Sequence, residues 1–249
     1  MIRHATLADI HEIESIWQTC FGDSKTYIEA FMENVGKPER CLVYELNEDI
    51  VSMMFVLPAQ IVANGELRSI NYIYACATLP EYRKQGIMNQ LFECAKREAA
   101  ESSVFALVLI PSDEYLFDYY HKIGFQRLFK KPSFRVQNAD LSQSIPFTEE
   151  SIEKLISLRQ NSSKEEMSVI WSSEYLTFAL QDHAKGGCSL IIDQDGYCMF
   201  SNTRQTVVKE AMPLNKYREQ STIDYAAIYF CEPYQLPKGV SPYINFGLD

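Results

Sequence analysis

Residues 72–97, YIYACATLPEYRKQGIMNQLFECAKR, pass from an apolar strand pattern through a proline turn into the basic, glycine-bearing stretch RKQGIM and straight on into an amphipathic helix pattern. A strand that feeds a helix across so short a loop leaves the chain few folds, because the strand must lie in a sheet and the helix must bury its apolar stripe against it. The same arrangement makes an anion site. N–H groups in the first turn of a helix have no helical acceptor, the aligned peptide dipoles add partial positive charge there, and Gly86 lets main chain approach a guest closely. A phosphate or pyrophosphate is the guest this loop predicts.

The flanking patterns build a domain around that segment. Thr6 followed three residues later by Asp9 resembles a capping box, and Ile10, Ile13, Ile16 and Trp17 lie on one face, predicting a helix over 7–20 and a second, shorter one between Asp23 and Gly36. Strand patterns follow at 41–46, 50–62 and 67–78, the last two separated by the hairpin signal Asn64-Gly65. After the loop, Met88, Leu91, Phe92, Ala95 and Ala99 recur at helical spacing, and 104–110 reads as a buried strand. A helix over 112–123, a glycine stop at Gly124 and a strand over 125–136 complete an expected domain of residues 1–136.

The polar stretch 137–148 is the expected linker, and 149–249 form a smaller C-terminal domain. In it the patterns predict helices over 151–160 and 173–184, then strands over 188–192, 197–202, 206–211 and 222–230. This order loosely echoes residues 7–78.

Composition narrows the function. With 47% hydrophobic and 12% aromatic residues the chain can bury a real core, while a net charge of −10 disfavours bulk binding to nucleic acid or anionic membranes and mildly favours a cationic substrate. The seven cysteines form no C-x-x-C pair and have no histidine at zinc-ligand spacing, so buried free thiols and no metal are expected. The N-terminus has no apolar signal segment and no membrane-length apolar run occurs, which predicts a reduced, cytoplasmic protein.

Other phosphate loops fail on residues. The one Gly-Lys, Gly36-Lys37-Pro38, lacks the Ser or Thr of a Walker loop, Gly86 stands alone where a dinucleotide fingerprint needs three glycines, and no G-x-S-x-G or H-E-x-x-H occurs. Thr78-Leu79-Pro80-Glu81-Tyr82-Arg83 with Arg83-Lys84-Gln85-Gly86-Ile87-Met88 instead resembles motif A of the GNAT (Gcn5-related N-acetyltransferase) superfamily. Tyr119-Tyr120-His121-Lys122-Ile123-Gly124-Phe125 matches a second element of that family, in the expected order. Met88 stands where most members have Gly or Ala, and Thr78 where Val is commonest. A bulky residue at position 88, with about a hundred residues beyond the linker, resembles the enhanced intracellular survival (Eis) branch.

The resemblance implies an α/β GNAT fold, with a mixed, largely antiparallel central sheet flanked by helices. It also implies a smaller C-terminal α+β domain that shapes the acceptor site, for which a second GNAT-like half is one form. The implied activity is transfer of an acetyl group from acetyl-CoA to a primary amine by direct attack in a ternary complex. The amides of Arg83, Lys84, Gln85, Gly86, Ile87 and Met88 would hold the pyrophosphate, with charge from Arg83 and Lys84. The strand through Cys76, Ala77 and Thr78 would pair with the pantetheine arm, and the Cys76 N–H would polarise the thioester oxygen.

Tyr120 is the implied general acid, with helix packing as its alternative role. No carboxylate stands on the strand before the loop, so the base is sought in the terminal carboxylate of Asp249, which the Eis branch uses so; a frayed tail is the alternative. A non-catalytic acyl-CoA sensor that keeps the loop but lacks turnover is the competing function.

Overall fold

The structure, a computed structural model, describes residues 1–134, 144–162, 167–194, 196–201, 207–212, 219–240, 242 and 244. It separates into two compact units, the first made of Met1–Gln60, Arg68–Arg127 and Ala227–Leu236, the second of Ile61–Leu67, Leu128–Ala226 and Pro237–Asp249.

In the first unit, β1 (Ile2–His4) leads through a 3-10 turn at Leu7–Asp9 into α1 (Ile10–Phe21) and α2 (Lys25–Asn34). The Asp9 carboxylate accepts from the Thr6 N–H at 2.7 Å and from both terminal nitrogens of Arg3 at 2.8 Å, so the cap also ties β1 to the helix start. That pairing holds the Asp9 carboxyl well below the usual carboxylate range.

Next come β2 (Cys41–Leu46), β3 (Asp49–Ala63) and β4 (Glu66–Thr78), joined by two-residue turns at Asn47-Glu48 and Asn64-Gly65 in which all four residues have positive φ. This is the backbone that two-residue hairpin turns require. Helix α3 (Ile87–Glu101), β5 (Ala106–Leu109), α4 (Leu116–Lys122) and the start of β6 (Gln126–Phe134) follow.

The sheet runs in the order β1-β2-β3-β4-β5 and is then extended by β11 (Glu219–Phe230), whose Ala227–Phe230 pair antiparallel with Leu109–Ala106. A sequence boundary near residue 136 does not anticipate this return of the chain. It has a physical cause: β5 is buried along its whole length, and its free edge would leave backbone polar groups unpaired away from water. The central sheet is mostly antiparallel, with β4 and β5 parallel, and helices flank it.

On one face Trp17, Phe31 and Phe55 pack with ring centroids 4.9 to 5.7 Å apart. The opposite face buries Leu91, Phe92, Ala95 and Ala99 of α3 with Phe117, Tyr120 and Phe125. Fully burying a large apolar side chain contributes roughly 1.5–3 kcal/mol, so these clusters dominate the stability of the unit.

The second unit is α+β. Helices α5 (Glu149–Ser162) and α6 (Ser173–Lys185) accompany an antiparallel sheet of β8 (Cys188–Ile192), β9 (Tyr197–Ser201) and β10 (Val207–Met212), while a short β7 (Val169–Ile170) pairs with β3. Among the described residues no helix is long and apolar enough to cross a membrane.

Candidate functional site

Strands β4 and β5 pair in parallel from Ile70↔Ala106 to Ile73↔Leu109, where β5 ends while β4 continues to Thr78. The β4 segment beyond Ile73 is therefore the edge on which an extended guest could be added.

Ala75 has φ +50, a left-handed conformation in the middle of this segment. Its effect shows in which faces the side chains take. Tyr72 and Tyr74 stack on the same face with centroids 6.0 Å apart, Tyr74 lying 5.7 Å from Trp17, as period-two alternation requires. Ile73 and Cys76 both join the opposite cluster although they are three residues apart. Ala75 thus acts as a bulge-like kink that re-aims everything after it.

Cys76 meets α4 there. Desolvation pushes its thiol up to about 12, which keeps it protonated and poorly nucleophilic at neutral pH, in line with a spectator side chain. Ala77 is buried, and Thr78 ends the strand.

The Thr78 hydroxyl is fixed from below. Ser52, fully buried on β3, donates to the Ala77 carbonyl at 2.8 Å, which leaves the Thr78 hydroxyl to donate to Ser52 Oγ at 2.8 Å. A threonine where relatives favour valine therefore has its polar atom satisfied. Ser52→Ala removes a buried donor from a carbonyl and an acceptor from a hydroxyl, and we expect it to cost about 1–3 kcal/mol in chemical denaturation. A change below about 0.5 kcal/mol would show that the pair does not hold the end of β4.

The loop that follows is exposed from Arg83 to Gly86 and turns with Lys84 at φ +63 and Gly86 at φ +76. Arg83 N donates back to Pro80 O, and the first bond of the next helix is Gln90 N to Gly86 O at 3.2 Å. Between them, the amides of Lys84 to Asn89 have no protein acceptor among the described residues, and Gly86 caps α3 without a side-chain partner. A Cβ on Gly86 would meet nothing within 4 Å, so glycine is required by its φ, and a side chain there would project into open space beside the amides.

Within the same loop, Ile87 is buried, and Met88 packs its side chain against the α3–α4 cluster, so its bulk is turned into the core. Arg83 donates from Nε to Thr78 O at 2.9 Å and from Nη2 toward Cys20 Sγ at 3.6 Å, which turns its guanidinium onto the end of β4. Gln85 Nε2 donates to Glu81 O at 3.2 Å.

Tyr120 lies on α4 in the cluster that contains Cys76, edge-on to Phe92 and Phe125 at 5.7 and 5.9 Å. Burial pushes its hydroxyl well above the ordinary tyrosine value, with the neighbouring Cys76 adding to the shift, so the phenol stays protonated at neutral pH. Its neighbour Tyr119 is half-buried, raised to about 12 mainly by burial, and donates to Asn89 Oδ1 at 2.6 Å. Gly124, at φ +94, has the Tyr229 ring 3.3 Å from where a Cβ would stand, so a side chain there would be strained by the backbone and would press on the returning β11.

The structure thus brings Cys76 and Tyr120 together at the open end of β4 and places residues 83–88 immediately after it. Asp249 lies outside the described residues. Sequence reasoning missed Ser52, the kink at Ala75 and the Tyr119–Asn89 bond. A Ser at 52 and an Asn at 89 carry no local signal, and Ala75 gives none because left-handed positions are sought through glycine.

The model of the acetyltransferase (GNAT) domain matches residues 1–128. No curated protein matches. Among solved structures, a GCN5-related N-acetyltransferase from Anabaena variabilis superposes with a TM-score of 0.70 at 16% identity, covering 93% of this chain and 73% of its own. Eis1 from Mycobacterium abscessus gives 0.70 at 10% identity, over 93% of this chain and 74% of its own. A probable N-acyltransferase from Enterococcus faecalis gives 0.71 at 12%, over 93% and 72%. At such identities the likeness is one of fold.

Proposed function

The chain belongs to the GNAT acetyltransferase family, and on that premise we propose that it moves an acetyl group from acetyl-CoA to a primary amine by direct attack in a ternary complex. One observation carries the reading: Tyr120, kept protonated by burial, shares a cluster with Cys76 on the end of β4 that β5 leaves uncovered, which runs into a loop whose amides have no acceptor among the described residues.

In this reading the amides of Lys84 to Met88 hold the pyrophosphate, helped by the start of the α3 dipole, while the Arg83 amide, expected among them, is already bonded to Pro80 O. Lys84 adds charge, and Arg83 chiefly braces the loop against Thr78. Residues Cys76 to Thr78 receive the pantetheine arm, and the Cys76 N–H faces the thioester oxygen, where a fixed donor is worth about 2.7–4 kcal/mol in the transition state. The amine nitrogen attacks the carbonyl carbon and the C–S bond breaks; the departing sulfur takes the Tyr120 proton, and the proton shed by the attacking nitrogen passes to solvent, from which the Tyr120 phenol is restored. A Cys-like thiolate has a conjugate acid near pKa 8.5, so the transfer from tyrosine completes a leaving group that is already fair. The net charge of −10 supports a cationic acceptor such as a polyamine, an aminoglycoside or a lysine side chain.

The second reading, an acyl-CoA-binding sensor, is favoured by the absence of any Asp or Glu between Glu66 and Thr78 on β4. Thiol release from acetyl-CoA, followed across a panel of amines, separates the two: acetyl-CoA binding with no turnover on any amine would select the sensor. Gly86→Glu strains a φ of +76 and sends a carboxylate into the space beside the amides. We expect at least a tenfold loss of acetyl-CoA affinity by calorimetry, and unchanged affinity would overturn the pyrophosphate assignment.

A further inference from the structure

Helix α4 spans only Leu116–Lys122, and two of its side chains, Phe117 and Tyr120, are buried. Apolar contacts are not directional, so these anchors alone do not fix the rotation of so short a helix, and the Asp118–Arg127 ion pair at 2.9 Å holds only its exposed side. Tyr119 supplies a directional contact. Its hydroxyl donates to Asn89 Oδ1 at 2.6 Å, and Asn89 is the third residue of α3, whose N–H belongs to the acceptor-free set at the loop. The Tyr119 ring also packs against Tyr120 at 5.2 Å and 65°. The chain of contacts therefore runs from the first turn of α3, through Asn89 and Tyr119, to Tyr120.

We propose that Asn89 and Tyr119 form a positioning bridge that sets the acid Tyr120 in register with the loop holding the pyrophosphate, so that an acyl-CoA anchored at the loop meets the proton donor at a fixed distance. This rests on the acetyl transfer proposed above. Neither residue is catalytic: the Asn89 side chain is spent on Tyr119, and Tyr119 acts through its neighbour. Reaction rates are sensitive to such register, since a misplacement of about 1 Å can cost on the order of a hundredfold.

The test uses the full chain with acetyl-CoA and an accepted amine. Tyr119→Phe and Asn89→Ala should each lower kcat by about tenfold or more, with KM for acetyl-CoA within about twofold and Tm within a few degrees, because the amides and buried anchors are untouched. The double variant should be no slower than the slower single one, as expected when both remove the same bond. Asn89→Asp restores the acceptor, so it should recover most of kcat, while its negative charge beside the loop raises KM for acetyl-CoA several-fold. Singles with the wild-type kcat, multiplicative loss in the double variant, or loss of Tm and affinity together would each overturn the bridge. A wild type that releases no thiol with any amine overturns the acetyl transfer itself, and the bridge with it, whereas wild-type turnover with unaffected variants overturns the bridge alone.

Discussion

Tyr120→Phe should lower kcat by about a hundred- to a thousandfold while KM for acetyl-CoA changes less than about twofold, the range expected when a positioned general acid is removed. The substitution is clean. Burial first, then the nearby Cys76, Tyr119 and Tyr115, shift the Tyr120 hydroxyl, and no hydrogen bond contributes among the described residues, so phenylalanine strands no partner there and keeps the ring contacts with Phe92 and Phe125. Stability should stay within about 1 kcal/mol, and a lost rate cannot then be put down to unfolding. The pH profile gives a second readout. Because burial holds the phenol protonated well above its ordinary value of 10.0, wild-type activity should climb with pH as the acceptor amine loses its proton, with no falling limb below about pH 10. A falling limb near pH 8 to 9, or a Tyr120→Phe variant with wild-type kcat, would remove Tyr120 from the acid role.

Local chemistry was legible in the sequence wherever a pattern of period 2 or 3.6 met a turn signal. The strand expected at 41–46 coincides with Cys41–Leu46, that at 188–192 with Cys188–Ile192, and Asn64-Gly65 makes the hairpin it signals. The helix expected over 112–123 shrinks to Leu116–Lys122, because Leu116 N and Phe117 N bond to Asp113 O and Glu114 O in turns ahead of it. The loop at 83–88 and Tyr120 were legible as types at a spacing. Their meeting with Cys76 depends on where β4 parts from β5 and on the kink at Ala75, neither of which leaves a periodic trace. The sequence offers Arg83 as charge for a phosphate, and its brace against Thr78 depends on a side-chain rotamer that no sequence pattern specifies. Strand order is the least legible of all: residues 222–230 read as a strand, which the structure extends to Glu219–Phe230, but nothing in their alternation says which sheet edge they close.

That closure leads to the other large effect. A fragment ending at residue 136 keeps the motif-bearing segments yet loses Ala227–Phe230, and with them the antiparallel partner of β5. Ala227 and Ile228, each almost fully buried, leave the core. Phe105 loses ring contacts with Phe230 at 5.5 Å and Tyr234 at 5.2 Å, and the Tyr229 ring leaves the surface of Gly124 and Phe125. At roughly 1.5–3 kcal/mol for each large apolar side chain, before the opened ladder of hydrogen bonds is counted, the loss is of the same order as the whole stability of an ordinary domain. The exposed β5 edge is an apolar run, Ala106–Leu109, of the kind that pairs with other chains. The fragment should therefore show no cooperative thermal transition, aggregate on purification and bind no acetyl-CoA, even though every loop residue proposed to hold the pyrophosphate is present. Supplying residues 219–236 as a separate peptide should rescue part of the fold, because β11 joins the sheet through backbone pairing and a few large side chains. A monomeric fragment that melts cooperatively and binds acetyl-CoA like the full chain would mean that β5 tolerates a free edge, and that the returning strand decorates the acetyltransferase sheet without being needed to complete it.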